Sequence, residues 1–195
     1  MNQSTEFHRS HELLSADRSR LVIVDVQEKF IPHIAEAERV IEGCRRLLTA
    51  ANILKVPATA TEQYPHGLGA TVSPLAEFFE DRPAKLRFSA AEVLPWTLNE
   101  SDGPTRDQIV LAGIESHVCI LQTAFDLMER GSRVFVVADA VSSRSLTNHE
   151  FALQRLRDAG AVITTYESVL FEWCEVAGTD EFKRISQLVR EPLPE

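Results

Sequence analysis

The segment Gly113-Ile114-Glu115-Ser116-His117-Val118-Cys119 follows the apolar run Ile109-Val110-Leu111-Ala112 and opens a helical pattern that runs to Arg130. This spacing puts a thiol in the first turn of a helix, just past the carboxyl end of a strand. Free backbone N–H groups and the positive end of the helix dipole favour a thiolate there, which predicts a lowered pKa. The same N–H groups can hold a developing oxyanion. A nucleophile and its anion site would then come from one short segment. The competing reading of Cys119 is a small buried hydrophobe.

Two further residues have the right chemistry to serve such a thiol. Asp25 comes directly after the apolar run Leu21-Val22-Ile23-Val24. It is either a cap or ion-pair partner at the sheet edge, or a partly desolvated general acid/base with a raised pKa. Lys85, between Pro83 and Phe88, is either a solvated surface group or a partly buried ammonium that holds a carboxylate and a thiol in their charged forms. Cys44 and Cys174 read as packing residues. With only three cysteines, widely spaced and without a CxxC pair, the chain has neither a disulfide framework nor a cysteine zinc site.

The elements that must position these groups alternate. Strands are expected at Leu21–Val24, Ile53–Thr61, Gln108–Ala112, Val134–Ala138 and Ala161–Thr165, the first and third buried on both faces. Helices are expected from about Ile34 to Ala51, at Pro74–Phe79, Ser116–Arg130, Asn148–Ala159 and from a Thr179 cap through Val189, with a helical stretch at Leu94–Asn99. Glu62–Val72 reads as a loop and Lys85–Ala91 fits no single pattern. The alternation predicts an α/β fold: a three-layer α/β/α sandwich around a mostly parallel, Rossmann-like sheet of about six strands. Ligands of such sheets bind beyond the carboxyl ends of the strands, which singles out Asp25, the Glu62 loop, Glu115–Cys119 and Asp139.

Composition bounds the partners. The 195 residues, 44% hydrophobic, suit one core, read here as a single domain over 20–195 behind a polar extension over 1–19 that is mobile or loosely packed. A formal charge of −9 works against nucleic acid and against a polybasic membrane anchor. No apolar run approaches the roughly 20 residues of a membrane span, and residues 1–20 lack the apolar core of a secretory signal. The expected location is cytoplasmic.

Three motifs in order resemble one family. They are Leu21-Val22-Ile23-Val24-Asp25-Val26-Gln27-Glu28-Lys29-Phe30, Lys85-Leu86-Arg87-Phe88-Ser89-Ala90 and the Gly113–Cys119 segment, joined by Ala138-Asp139-Ala140-Val141-Ser142-Ser143-Arg144. From about Leu21 to Phe171 the chain resembles the isochorismatase-like cysteine hydrolases, which include nicotinamidases and N-carbamoylsarcosine amidohydrolase. Around Thr61-Glu62-Gln63-Tyr64-Pro65 and Ala161–Thr165 it looks more like the family's uncharacterised isochorismatase-domain hydrolases. The resemblance implies a catalytic triad of Asp25, Lys85 and Cys119. It also implies a cis peptide between Ile114 and Glu115, and an oxyanion hole formed by the Glu115 and Cys119 N–H groups. Phe30 matches a pocket-wall aromatic of relatives, with ordinary core packing as its other reading.

Nicotinamidases of this kind bind a metal through an Asp-x-His and a further His. Here the comparable segment reads Thr61-Glu62-Gln63-Tyr64-Pro65-His66, so no metal and no other cofactor are expected. His66 and His117 are candidate pocket residues. His8, His11, His33 and His149 show no ligand spacing. Arg144 reads as the partner of a carboxylate or of an anionic substrate group, the former favoured. Val169-Leu170-Phe171-Glu172-Trp173 suits a subunit contact or the core. The expected activity is hydrolysis of a small amide or ureido C–N bond through a thioester, by a homo-oligomer. The alternatives are vinyl-ether hydrolysis of a chorismate-like metabolite and a binding protein that retains the fold without turnover.

Overall fold

In the computed structural model, which describes residues 8–94, 96 and 106–192, six strands share one sheet. They are β1 (Ser19–Val24), β2 (Ala58–Gln63), β3 (Ala84–Lys85), β4 (Gln108–Ile114), β5 (Arg133–Ser142) and β6 (Val162–Thr164). Their order is β3-β2-β1-β4-β5-β6, and each pairing is parallel. The helices are α1 (Ala37–Leu54), α2 (Pro65–Leu68), α3 (Ser73–Ala76), α4 (Leu121–Glu129), α5 (Leu146–Asp158), α6 (Tyr166–Cys174) and α7 (Asp180–Val189). This is the three-layer sandwich expected from the alternation of elements.

The uninterrupted apolar run of β1 is explained by its two faces. Leu21 and Ile23 pack with α1, α6 and α7, through residues such as Leu47, Leu170 and Ile185. Val22 and Val24 pack on the opposite side with Ala124 and Leu127 of α4 and Leu156 of α5. A strand covered twice needs apolar residues at every position. Each such side chain contributes about 1.5–3 kcal/mol when fully buried. The strand order reverses between β1 and β4, and the crevice beyond their carboxyl ends is where sheets of this topology place ligands.

Several elements differ from the sequence reading. Ile53 belongs to the last turn of α1 and is buried in the core, so β2 starts only at Ala58, after Pro57. A short apolar run does not distinguish a buried helix end from a buried strand. The chain before α1 forms a 3₁₀ turn at Ile31–His33, and Glu36 takes φ 54, which delays the helix to Ala37. The expected helix Ser116–Arg130 is a π-helical turn (Ser116–Ile120) followed by α4. α6 falls where the sequence pattern predicts no helix. Thr165 caps it, accepting from the Ser168 N–H, and Val169, Leu170 and Trp173 are core residues. The helix expected at Leu94–Asn99 lies mostly outside the described residues.

Residues 8–18 are not a loose extension. Leu14 is fully buried, and its N–H donates to Glu172 Oε2 at 2.7 Å. Arg9 donates to the carbonyls of Leu14 and Glu172, Ser15 N–H to Gln108 Oε1, and Arg18 grips Asp107 with two bonds. One leucine among polar residues carries too little periodicity to announce this packing.

Gly113 joins the fold to the site. It pairs with Val24 in the β1–β4 register and takes φ +115, and a Cβ there would sit 2.2 Å from the Val24 carbonyl oxygen. Only glycine tolerates both conditions. Gly113→Ala is expected to cost more than about 3 kcal/mol, read as a lowered urea midpoint with unchanged slope.

Candidate active site

Three strand ends bring the chemistry together. Asp25 follows β1 at φ 55, a conformation that aspartate tolerates better than most residues. Its N–H still bonds the Thr61 carbonyl at 3.1 Å. Lys85 ends the two-residue edge strand β3, opposite Gln63 of β2. Cys119 lies in the π turn after β4, where Val118 and Ile120 N–H both donate to the Glu115 carbonyl.

Lys85 Nζ stands 2.6 Å from Asp25 Oδ2, and both side chains are 0% exposed. The ammonium also donates to Gln63 Oε1 at 2.6 Å, to the Phe88 carbonyl at 2.8 Å and to the Arg87 carbonyl at 3.3 Å. Thr61 Oγ1 donates to Asp25 Oδ1 at 2.8 Å. Cys119 lies close enough to both groups for the carboxylate and the ammonium to act on its thiol. The described residues therefore bring Asp25, Lys85 and Cys119 to one point.

The electrostatics are those of a dry site. Burial pushes the Asp25 carboxyl above its ordinary range, against the opposing pull of Lys85, of Cys119 and of the Thr61 hydroxyl. Burial also pushes the Cys119 thiol up to about 12; the Asp25 charge adds to this, and Lys85 only partly offsets it. The lowered thiol pKa expected of a helix start is not what the fold produces. Desolvation and a neighbouring carboxylate outweigh the N-terminal dipole, which is worth only about 0.3–1 kcal/mol at an exposed site.

The motif backbone has its own features. The Ile114–Glu115 peptide is cis. The Glu115 carboxylate is turned away to accept from Arg144 N–H at 3.0 Å and Arg144 Nε at 3.1 Å, so Arg144 is a carboxylate partner. The β4–β5 register shifts between Leu111 and Gly113, next to this turn.

A family model described as isochorismatase domain matches residues 19–168. The chain belongs to the isochorismatase family. It is 43% identical to isochorismatase domain-containing protein 2 of Danio rerio over 93% of this chain and 92% of that one. It is 41% identical to the secreted isochorismatase effector Isc1 of Phytophthora sojae, over 90% and 86% of the two chains. A solved structure described as MAR1 ribonuclease from Caenorhabditis elegans superposes with a TM-score of 0.84, at 40% identity, over 94% and 95% of the chains.

Among the other candidates in this isochorismatase-family chain, Glu62 and Asp139 have structural employment. Glu62 Oε1 accepts from Thr71 N–H, Thr71 Oγ1 and Arg82 Nε. Asp139 Oδ1 accepts the first N–H of α6 at 2.8 Å. His66 is exposed on α2, and Phe30 packs partly buried against the α1-side core. His117 Nδ1 bonds Ser143 Oγ at 2.9 Å and its Nε2 meets Asn148 Nδ2 at 3.4 Å. Among the described residues, no group of three or more histidine, cysteine or acidic side chains is gathered to hold a metal. A surface cleft lined by Leu13, Phe171 and Val176 lies by the extension, at the opposite end of the sheet.

Sequence reasoning missed the residues that brace the triad. Gln27 and Gln63 exchange two bonds: Gln63 N–H to Gln27 Oε1 at 2.7 Å, and Gln27 Nε2 to the Gln63 carbonyl at 3.1 Å. Gln63 Nε2 also donates to the Leu86 carbonyl. This fixes Gln63 Oε1 toward Lys85. The available signal is a run of polar residues, Thr61-Glu62-Gln63, at the end of a strand whose neighbours are buried.

Lys85→Met leaves Asp25 buried without its cation, with an expected loss of about 3–5 kcal/mol, measured by urea unfolding. In the wild type, iodoacetamide labelling of Cys119 rises about tenfold per pH unit from pH 7 to 10 without a plateau, as a thiol near 12 requires. Asp25→Asn removes the charge that opposes the thiolate, so labelling at pH 8 speeds up; an unchanged or slower rate contradicts a carboxylate-suppressed thiol.

Proposed function

We propose that the protein is a cysteine hydrolase of a small amide or ureido C–N bond, working through a thioester on Cys119. The observation that carries this reading is the buried ion pair of Asp25 and Lys85 at the switch point of the sheet, near enough to the Cys119 thiol for both charges to act on it. The isochorismatase-family membership supports a hydrolase.

Because the resting thiol is held protonated, attack and deprotonation go together. Asp25 takes the Cys119 proton as sulfur bonds the carbonyl carbon. Lys85 keeps Asp25 anionic before the step and steadies the sulfur as charge develops. The Glu115 and Cys119 N–H groups receive the oxyanion, and loss of one such donor typically costs about 10²–10³ in rate. Asp25 then gives its proton to the departing nitrogen as the C–N bond breaks. Water adds to the thioester and loses a proton to Asp25, which returns it to sulfur as the C–S bond breaks, releasing the acid and restoring the thiol. Phe30, His66 and His117 are proposed as pocket residues. No cofactor enters the scheme.

A second reading is vinyl-ether hydrolysis with Asp25 as the proton donor. Its upward-shifted carboxyl favours that role. RNA enters as a substrate class through the name of the C. elegans relative, while the charge of −9 argues against a polyanion. Three free thiols suit a reducing cytoplasm, and no described helix is long and apolar enough to cross a membrane. Homo-oligomer formation is supported by Leu86 and Phe88, 77% and 53% exposed beside Lys85.

The test is intact-mass spectrometry with small amides, ureido compounds, a chorismate-like vinyl ether and an RNA oligomer. An acyl adduct on Cys119 with an amide or ureido compound, and loss of turnover in Cys119→Ala by at least about 10³-fold, are the expected results. Full turnover in Cys119→Ala overturns the thioester, and turnover of the vinyl ether without an adduct selects the second reading.

A further inference from the structure

Three consecutive side chains of the nucleophile motif are held by one short segment, residues 143–149. Glu115 accepts from Arg144, and His117 bonds Ser143 and Asn148. Between them, Ser116 Oγ lies 2.9 Å from His149 Nδ1. Ser116 is fully buried and begins the π turn that carries Cys119, while His149 sits half-buried in the first turn of α5. We propose that His149 is a positioning residue for Cys119, acting through Ser116, so that the charge on this imidazole sets how tightly the nucleophile turn is held. This deepens the cysteine-hydrolase reading, on which its catalytic meaning rests.

The physical argument begins at the buried hydroxyl. In the clamp the ring is the tautomer protonated at Nε2, so that Ser116 Oγ donates and His149 Nδ1 accepts across their 2.9 Å contact. When the ring gains a proton at Nδ1, two donors face each other, and the serine hydroxyl must rotate into a buried space. The turn then loosens, which eases Cys119 toward the thiolate and spoils its alignment with Asp25.

The surroundings place this event on the acid side. Burial lowers the His149 pKa and Arg39 lowers it further, whereas Glu36 and Glu150 oppose them more weakly. Arg39 is itself tied to Glu36 by bonds of 2.7 and 3.0 Å and to the carbonyls of Ala138 and Val141, so α1 and β5 hold it near the ring. Imidazole is therefore neutral at pH 7, and the clamp is closed there. It opens as pH falls below the ordinary histidine range.

The test compares iodoacetamide labelling of Cys119 in the full-length wild type and in His149→Asn, by peptide mass mapping between pH 5 and 8. Asparagine keeps a hydrogen-bonding group near the position of Nδ1 but carries no charge. The wild-type to variant rate ratio is expected to be near one at pH 8 and to rise to about fivefold at pH 5, the size of one neutral hydrogen bond. In a Ser116→Ala background the same ratio stays near one at every pH. His149→Leu, which also lacks the bond, labels about fivefold faster than wild type at pH 8. A ratio that stays at one from pH 5 to 8 with Ser116 present, or one that still rises without Ser116, overturns the proposal. Labelling needs no substrate, so absent turnover with a normal labelling profile would count against the hydrolase reading and leave the clamp standing.

Discussion

The buried pair of Asp25 and Lys85 is the interaction on which the rest of the site depends. Two opposite charges without solvent gain from their 2.6 Å contact but lose hydration worth several kcal/mol each. Such a pair is tolerable only when its remaining hydrogen-bonding capacity is met. Thr61, Gln63 and two loop carbonyls do this, and Gln27 in turn fixes Gln63. Much of the polar side-chain structure at the ends of β1 and β2 therefore exists to hold one ion pair in a dry place. The loop after β3 is bound to it by backbone alone, which leaves Leu86, Arg87 and Phe88 pointing outward.

That pair also decides the state of the nucleophile. At an exposed helix start, Cys119 would be acidified. Next to a buried carboxylate it is held protonated. A protonated thiol is stable toward oxidation and casual alkylation, since the thiolate is the reactive form. The carboxylate that suppresses the thiolate at rest is also the base placed to remove its proton. Lys85 balances the two, because the ammonium stabilises whichever of oxygen and sulfur carries the negative charge.

The sheet makes this convergence possible. With the order β3-β2-β1-β4-β5-β6, the ends of β1 and β4 are neighbours at the reversal of strand order, and β3 reaches across from the edge through the length of a lysine side chain. The approach of β4 to β1 is close enough that Gly113 has no room for a side chain. On the far side, residues 143–149 hold the nucleophile turn from outside. The site is thus supported from the ends of β1 and β2 through Gln27 and Gln63, and from residues 143–149 through Ser143, Arg144, Asn148 and His149.

The sequence by itself determined the layers, because unbroken apolar runs such as Leu21–Val24 tolerate only a doubly covered strand. It also marked Asp25 and Cys119, since a carboxylate directly after such a run and a cysteine just past a strand-ending glycine fall where parallel sheets bind their ligands. Lys85 stood out only as part of a family motif, because a lysine on a two-residue strand has no pattern of its own. The sequence did not determine α6 or the end of α1, where apolar residues without a clear period suit helix and strand alike. Nor did it determine that residues 8–18 pack, because a single buried leucine sets up no periodicity. Only the tertiary structure decided the protonation of Cys119 and the bracing by Gln27, Gln63, Ser116 and His149. Desolvation and hydrogen bonding between segments depend on distances across the fold, and neither leaves a repeat along the chain.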